Sequence, residues 1–258
     1  MMLRRIMDHL KTQSWLAVTL DLMIVILGVF IGFQVTAWNE ERQANAAEHA
    51  TQLRLQAEAE QVVGFWRTEV RQEQRVNENR RLLLEVLDNG MMTPEQRPAV
   101  DDAILRLGFY PHFSPPRSVY DELIAAGGLS RISDIQVRTA VADYAAELNF
   151  VMGQLTQFRT HLPGLEDAYH GRIFSIYAPE QASMRRYEYD IAALAADRQF
   201  VSRIVDSVRN QLQFFTYREG VLSRAIAMCE TVSRAVSMTC DAPEISEEEI
   251  KVRDGVNQ

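Results

Sequence analysis

Residues 20–43 read LDLMIVILGVFIGFQVTAWNEERQ, and this stretch decides what kind of protein the chain is. Leu22 to Phe33 carry no polar side chain. Extending the run over Leu16–Leu20 on one side and Val35–Ala37 on the other gives about 22 residues. That is roughly 33 Å of helix, against a hydrocarbon core of about 30 Å. Trp15 and Trp38 bracket the run, where amphipathic rings favour the two interfaces. The reading is a transmembrane helix over 15–38. A buried core helix is one rival. A cleaved signal peptide is another, with Val35-Thr36-Ala37 as a small-residue cleavage site. The length of the run, and the acid within it, favour a retained anchor.

The flanks orient the helix. Arg4, Arg5 and Lys11 stand against Asp8 on the N-terminal side, whereas the other side begins Asn39-Glu40-Glu41-Arg42. Basic residues prefer the cytoplasm, so 1–14 reads as a short cytoplasmic tail and 39–240 as an extracytoplasmic domain. At 100° per residue, Asp21, Val25, Gly28 and Gly32 fall within about 60° of one another on the helix. Gly-x-x-x-Gly lets a second backbone approach closely, and a polar group on that face finds a partner in the contact. This face is the candidate for helix–helix association, as a homo-oligomer or with another membrane protein. The plainer account is that glycine is common in membrane helices and Asp21 sits near the headgroups. One acid on one helix makes no proton conduit.

The whole chain has 258 residues, 47% hydrophobic and 24% charged, which suits a folded domain beyond the anchor. A net charge of −8 argues against nucleic acid as partner, because phosphate neutralisation needs a basic face. Between residues 39 and 89 there is one glycine and no proline, so the membrane helix is expected to continue as a long stalk. Leu55, Ala59, Val62, Trp66 and Val70 form a one-sided apolar stripe. The run 71–81, RQEQRVNENRR, then loses nearly all apolar character and reads as a solvated face.

Thr93-Pro94-Glu95 signals a helix start, with a short helix through Leu107. Ser118 and Asp121 open another, closed by Gly127-Gly128. Ser133-Asp134 caps a third, in which Val137, Val141, Tyr144, Leu148, Val151, Leu155, Phe158 and Leu162 alternate steps of four and three up to Pro163-Gly164. A last long helix is expected to bury Val201, Val205, Val208, Leu212 and Phe215, then Leu222, Ile226 and Cys229, with Glu219 interrupting. Such seams suit an antiparallel bundle or coiled coil. No segment sustains a period of two, so essentially no sheet is expected. The fold class is all-α, and the tail from Asp241 is acidic and expected to be disordered.

These pieces resemble an uncharacterised family of bacterial single-pass membrane proteins. The resemblance rests on a basic start, a hydrophobic helix with an acid and Gly-x-x-x-Gly, and Trp38-Asn39-Glu40. Downstream it continues with Ser118-Val119-Tyr120-Asp121-Glu122-Leu123, Gly128-Leu129 and Ile132-Ser133-Asp134. It covers residues 15–160; Ala37 and Ala126 depart from the Asn and Ser frequent in the family. It implies a single-pass architecture in a bacterial membrane, and no reaction; with the orientation above, the expectation is an inner-membrane protein with a periplasmic domain.

Sites of chemistry are sparse. His161, Glu166, Asp167 and His170 gather around Pro163-Gly164, a pattern better read as a helix-end surface than as metal ligands. No zinc spacing, phosphate-binding loop or nucleophile motif occurs, and no cofactor is read. The segment 109–117, with Phe109, Tyr110, His112, Phe113 and Arg117, is either a contact loop or an aromatic plug at the end of the bundle. Cys229 and Cys240 fall on the oxidising side, so a disulfide is open to them. Eleven residues along a continuous helix would hold their Cα atoms about 16 Å apart, so a bridge requires the chain to turn back. The functional expectation is a binding, scaffold or sensor-accessory protein acting through partners. A membrane-anchored periplasmic enzyme of hydrolase type is the alternative.

Overall fold

The protein is described by a computed structural model covering residues 15–125, 127, 129–161, 166–179 and 184–242. The expected cytoplasmic tail, the stripe's last member Leu162, its Pro163-Gly164 stop and the tail beyond Ala242 lie outside the described residues. The chain is mostly helical. Helix α1 runs Trp15–Asn89, followed by α2 (Arg97–Arg106), α3 (Ser118–Ala125), a 3₁₀ turn at Leu129–Arg131, α4 (Ile135–His161) and the short α5 (Glu166–Tyr169). Strands β1 (Phe174–Tyr177) and β2 (Arg185–Glu188), then α6 (Ile191–Ala196) and α7 (Arg198–Ala235), complete it. By its internal contacts the chain divides at Thr51 into two units.

The first unit is helical over its described length. From Val18 its apolar residues face outward, with Phe33 72% exposed, and this one helix is long and apolar enough to cross a membrane. Nothing in the helix breaks it, because the 39–89 stretch lacks proline.

The second unit, from Gln52, holds two apolar clusters. In the first, Leu55, Ala59, Val62 and Trp66 of α1 meet Val137, Val141, Val151 and Leu155 of α4 and Phe214, Val221, Ala225 and Val232 of α7. In the second, Leu83, Val86 and Leu87 of α1 meet Val100 and Ile104 of α2, Leu194 of α6, and Phe200, Ile204 and Val208 of α7. Helix α1 ends where Gly90 takes φ +66 and its N–H donates to the Val86 carbonyl at 2.9 Å. The left-handed conformation that stops a helix this way is one that glycine adopts without strain.

Local signals act where short side chains reach backbone. Asp134 Oδ1 accepts from the N–H groups of Gln136 at 2.7 Å and Val137 at 3.3 Å, starting α4. At Thr93 the expected start is displaced. The Thr93 N–H donates to Gln96 Oε1 at 2.9 Å, the Gln96 N–H donates back to the Thr93 carbonyl at 3.2 Å, and α2 begins only at Arg97. The turn satisfies itself, so the helix waits for Pro98 in its first turn.

Three expectations are corrected. A two-stranded antiparallel hairpin exists, pairing Phe174 with Glu188 and Tyr177 with Arg185. Its strands are four residues long and mostly exposed, too short to show a period of two. The run 71–81 is not simply a solvated face: Glu73, Val76, Asn77 and Arg80 are buried. In α7 the buried seam is Phe200, Ile204, Val208, Gln211, Phe214, Arg218, Val221, Ala225 and Met228. Val205 is 45% exposed, and Leu212, Phe215, Leu222 and Ile226 lie on the half-buried flank. Of the expected stripe Val208 and Cys229 are buried and the rest lies beside the seam, because two seam positions, Gln211 and Arg218, are polar.

Candidate functional site

The residues singled out from sequence fall in separate places. Asp21, Val25, Gly28 and Gly32 are exposed on α1, and nothing lies within 4 Å of where a side chain would begin at either glycine. Thr36 Oγ1 donates to the Gly32 carbonyl at 3.0 Å, which tucks that hydroxyl against its own helix. The 109–117 segment divides. Tyr110 and Phe113 are buried in the first cluster, with the Tyr110 ring stacked on Phe158 at 5.3 Å. Phe109 is exposed, His112 contacts the Arg159 guanidinium at the surface, and Arg117 pairs with Asp121 at 2.8 Å. His170 is exposed, while the side chains of His161, Glu166 and Asp167 lie outside the described residues. Among the described residues no group of three His, Cys, Asp or Glu could hold a metal.

The disulfide is formed. Cys229 and Cys240 are joined with Cα atoms 5.6 Å apart. Helix α7 stops at Ala235, Ser237 takes φ +57, and the Met238 N–H returns to the Ser233 carbonyl at 2.8 Å. The returning strand is tied to α1 twice: the Asp241 N–H donates to Glu60 Oε1 at 2.8 Å, and Arg67 Nη1 donates to the Ala242 carbonyl at 3.3 Å.

The most unusual chemistry in the second unit was not anticipated. Glu73, Asn77 and Arg80 occupy one face of α1, two turns long, in the interval between the α1 residues of the two apolar clusters. Glu73 accepts from Arg80 Nη1 through Oε1, and from Arg218 Nη1 of α7 through Oε2 at 2.7 Å. Both arginine side chains are only 2% exposed and that of Glu73 10%. Arg80 Nη1 also donates to Asn77 Oδ1 at 2.7 Å, and its Nη2 to the Arg106 carbonyl at 3.3 Å. Arg218 stands over the rings of Phe113 at 4.8 Å and Phe214 at 5.0 Å, an arrangement that favours a desolvated guanidinium. Gln211, fully buried, donates through Nε2 to the Phe109 carbonyl at 3.2 Å.

Burial alone would raise the Glu73 carboxyl, but Arg218 and Arg80 together more than offset that and hold it below the ordinary range. Glu73 is therefore ionised, and two guanidiniums against one carboxylate leave one net positive charge inside. Burial pushes the Tyr110 hydroxyl up to about 12, with Arg80, Glu73 and Arg218 all within electrostatic range of it. Among the described residues several buried polar atoms have no hydrogen-bond partner: Arg75 Nη2, Asn77 Nδ2, Arg80 Nε, Arg218 Nε and Nη2, the Tyr110 and Ser233 hydroxyls, and Gln211 Oε1. Each such buried group costs about 1–3 kcal/mol when unmatched. The signal available in the sequence was the i, i+4, i+7 spacing of Glu73, Asn77 and Arg80, which places all three on the stripe begun at Leu55.

A second buried acid, Glu58, serves structure. Its carboxylate accepts from Ser118 Oγ at 2.9 Å and from the N–H groups of Val119 at 2.7 Å and Tyr120 at 3.0 Å, capping α3 from a different helix. An open cleft of about 550 Å³ is lined by Arg172, Phe174, Glu188, Tyr189, Asp190 and Asp197 among others. Its two aspartates are engaged as helix caps: Asp190 holds Ala192 and Ala193, and Asp197 holds Gln199 and Phe200 while pairing with Arg172. Comparison with protein-family models, with curated proteins and with solved structures finds no match.

Proposed function

We propose that this chain is a single-pass protein of a bacterial inner membrane whose helical domain, an antiparallel bundle, lies on the periplasmic side and acts by binding. On this reading it is a scaffold or sensor accessory that works through a second copy or another membrane protein. The observation that carries the reading is the pairing of an exposed apolar helix with a disulfide in the unit beyond it. Structural disulfides persist in oxidising compartments, so the bridge supports the same orientation as the basic N-terminal flank. The Asp21–Val25–Gly28–Gly32 face supplies a place for a partner helix, because both glycines leave room for close backbone approach.

The residues of the 550 Å³ cleft give the enzyme alternative little support, since two of its three carboxylates, Asp190 and Asp197, already hold helix termini. The test is in-membrane photo-crosslinking from position 25 of the full chain, with Gly28→Leu as control. A crosslinked product in the wild type that disappears in Gly28→Leu is expected. A wild type that stays monomeric and captures nothing overturns the reading.

A further inference from the structure

We infer that the buried Glu73–Arg80–Arg218 layer binds one small monovalent anion of halide size. The argument begins with charge. Two guanidiniums and one carboxylate, all nine-tenths or more buried, leave one positive charge without a counterion. Buried charges are ordinarily paired, because removal from water is costly unless an opposite charge replaces the solvent. The Phe113 and Phe214 rings attract the Arg218 guanidinium but supply no lone pair to its N–H groups.

The second step counts hydrogen bonds. Arg80 Nε, Arg218 Nε and Nη2 and Asn77 Nδ2 are buried donors without partners, the Tyr110 hydroxyl can add a fifth, and Gln211 Oε1 is the unpartnered atom beside them that only accepts. Both arginines grip the same carboxylate, and Tyr110 stands within electrostatic range of all three charges, so these donors belong to one neighbourhood. Water balances such an excess poorly. Each water that accepts a hydrogen bond brings two donors of its own and leaves the charge in place. An anion only accepts, and a single negative charge brings the layer to neutrality. The close packing of Tyr110, Phe113 and Phe214 around Arg218 favours a small ion over an organic one.

The experiment uses the full chain in detergent at fixed ionic strength, with chloride, bromide or nitrate exchanged against gluconate. The expected result is a saturable rise of the unfolding midpoint by several degrees with the small anions. Tyr110→Phe, which removes a donor and keeps the ring, should raise the half-saturating concentration about threefold or more. Glu73→Gln, if it folds, should lower it. A bromide-soaked crystal should give an anomalous peak between Arg80 and Arg218. A midpoint indifferent to the anion overturns the inference. So does an anion effect that Tyr110→Phe leaves unchanged, or a crystal with bromide only at the surface and water in the layer.

Discussion

One helix, α1, contains two regions that treat water in opposite ways. From Val18 to Trp38 its large apolar side chains are exposed; between Glu73 and Arg80 two charged ones, Glu73 and Arg80 themselves, are buried. Hydropathy alone would assign the first region to a core and the second to the surface. The difference teaches that burial follows the partner a side chain has. The first region is long and apolar enough to cross a membrane, and among the described residues no protein group covers it, which is why lipid is the surrounding proposed for it. The second region is inside because Arg218 and the Arg106 carbonyl replace the water that Glu73 and Arg80 give up.

The largest test of this contrast is Glu73→Ala. It leaves two guanidiniums facing each other in a low-dielectric interior and should lower the stability of the domain by about 3–5 kcal/mol, read by denaturant titration. The sharper companion is the simultaneous replacement Glu73→Leu, Arg80→Met and Arg218→Met. This is expected to be neutral or stabilising, because packed apolar groups of similar volume need no desolvated partners. Acid provides a third handle. Glu73 is depressed in the folded state, so its contribution is fully present above the ordinary glutamate value and is lost as pH falls through the lower folded one. Wild-type stability should drop over that acid window, and the apolar triple variant should drop less.

Reducing Cys229–Cys240 comes next. A loop of this length predicts a loss of roughly 3 kcal/mol, seen as a lower unfolding midpoint with reductant, with α1 losing its tie to Asp241 and Ala242. Glu58→Ala should cost about 1–3 kcal/mol by uncapping α3. The exposed Arg54–Glu122 pair marks the smallest effect: Arg54→Ala should leave the midpoint unchanged, since solvent screens both groups.

How much of this was legible in the sequence follows the same contrast. The stripe Leu55–Val70 and the seam Val137–Leu155 are buried as their spacing implied, because apolar residues recurring at helical period have nowhere else to go. The exposed span was legible from length. Asp134 read correctly as a cap because its carboxylate acts on N–H groups two and three residues away. What stayed hidden depends on contacts distant in sequence. Glu73 meets Arg218 across 145 positions, and nothing local marks that pairing. The α7 seam is hidden for the same reason: Gln211 and Arg218 are polar, so the apolar pattern points to Leu212 and Leu222 on the flank. The hairpin was missed because four exposed residues per strand carry no period, and the disulfide stayed open because it rests on a turn at Ser237.

The most direct measurement is a double-mutant cycle between Glu73 and Arg218, using Glu73→Gln and Arg218→Gln in the full chain. A buried, hydrogen-bonded pair predicts a coupling energy above about 2 kcal/mol. A coupling near zero, as found for solvated surface pairs, would contradict the buried layer on which this account rests.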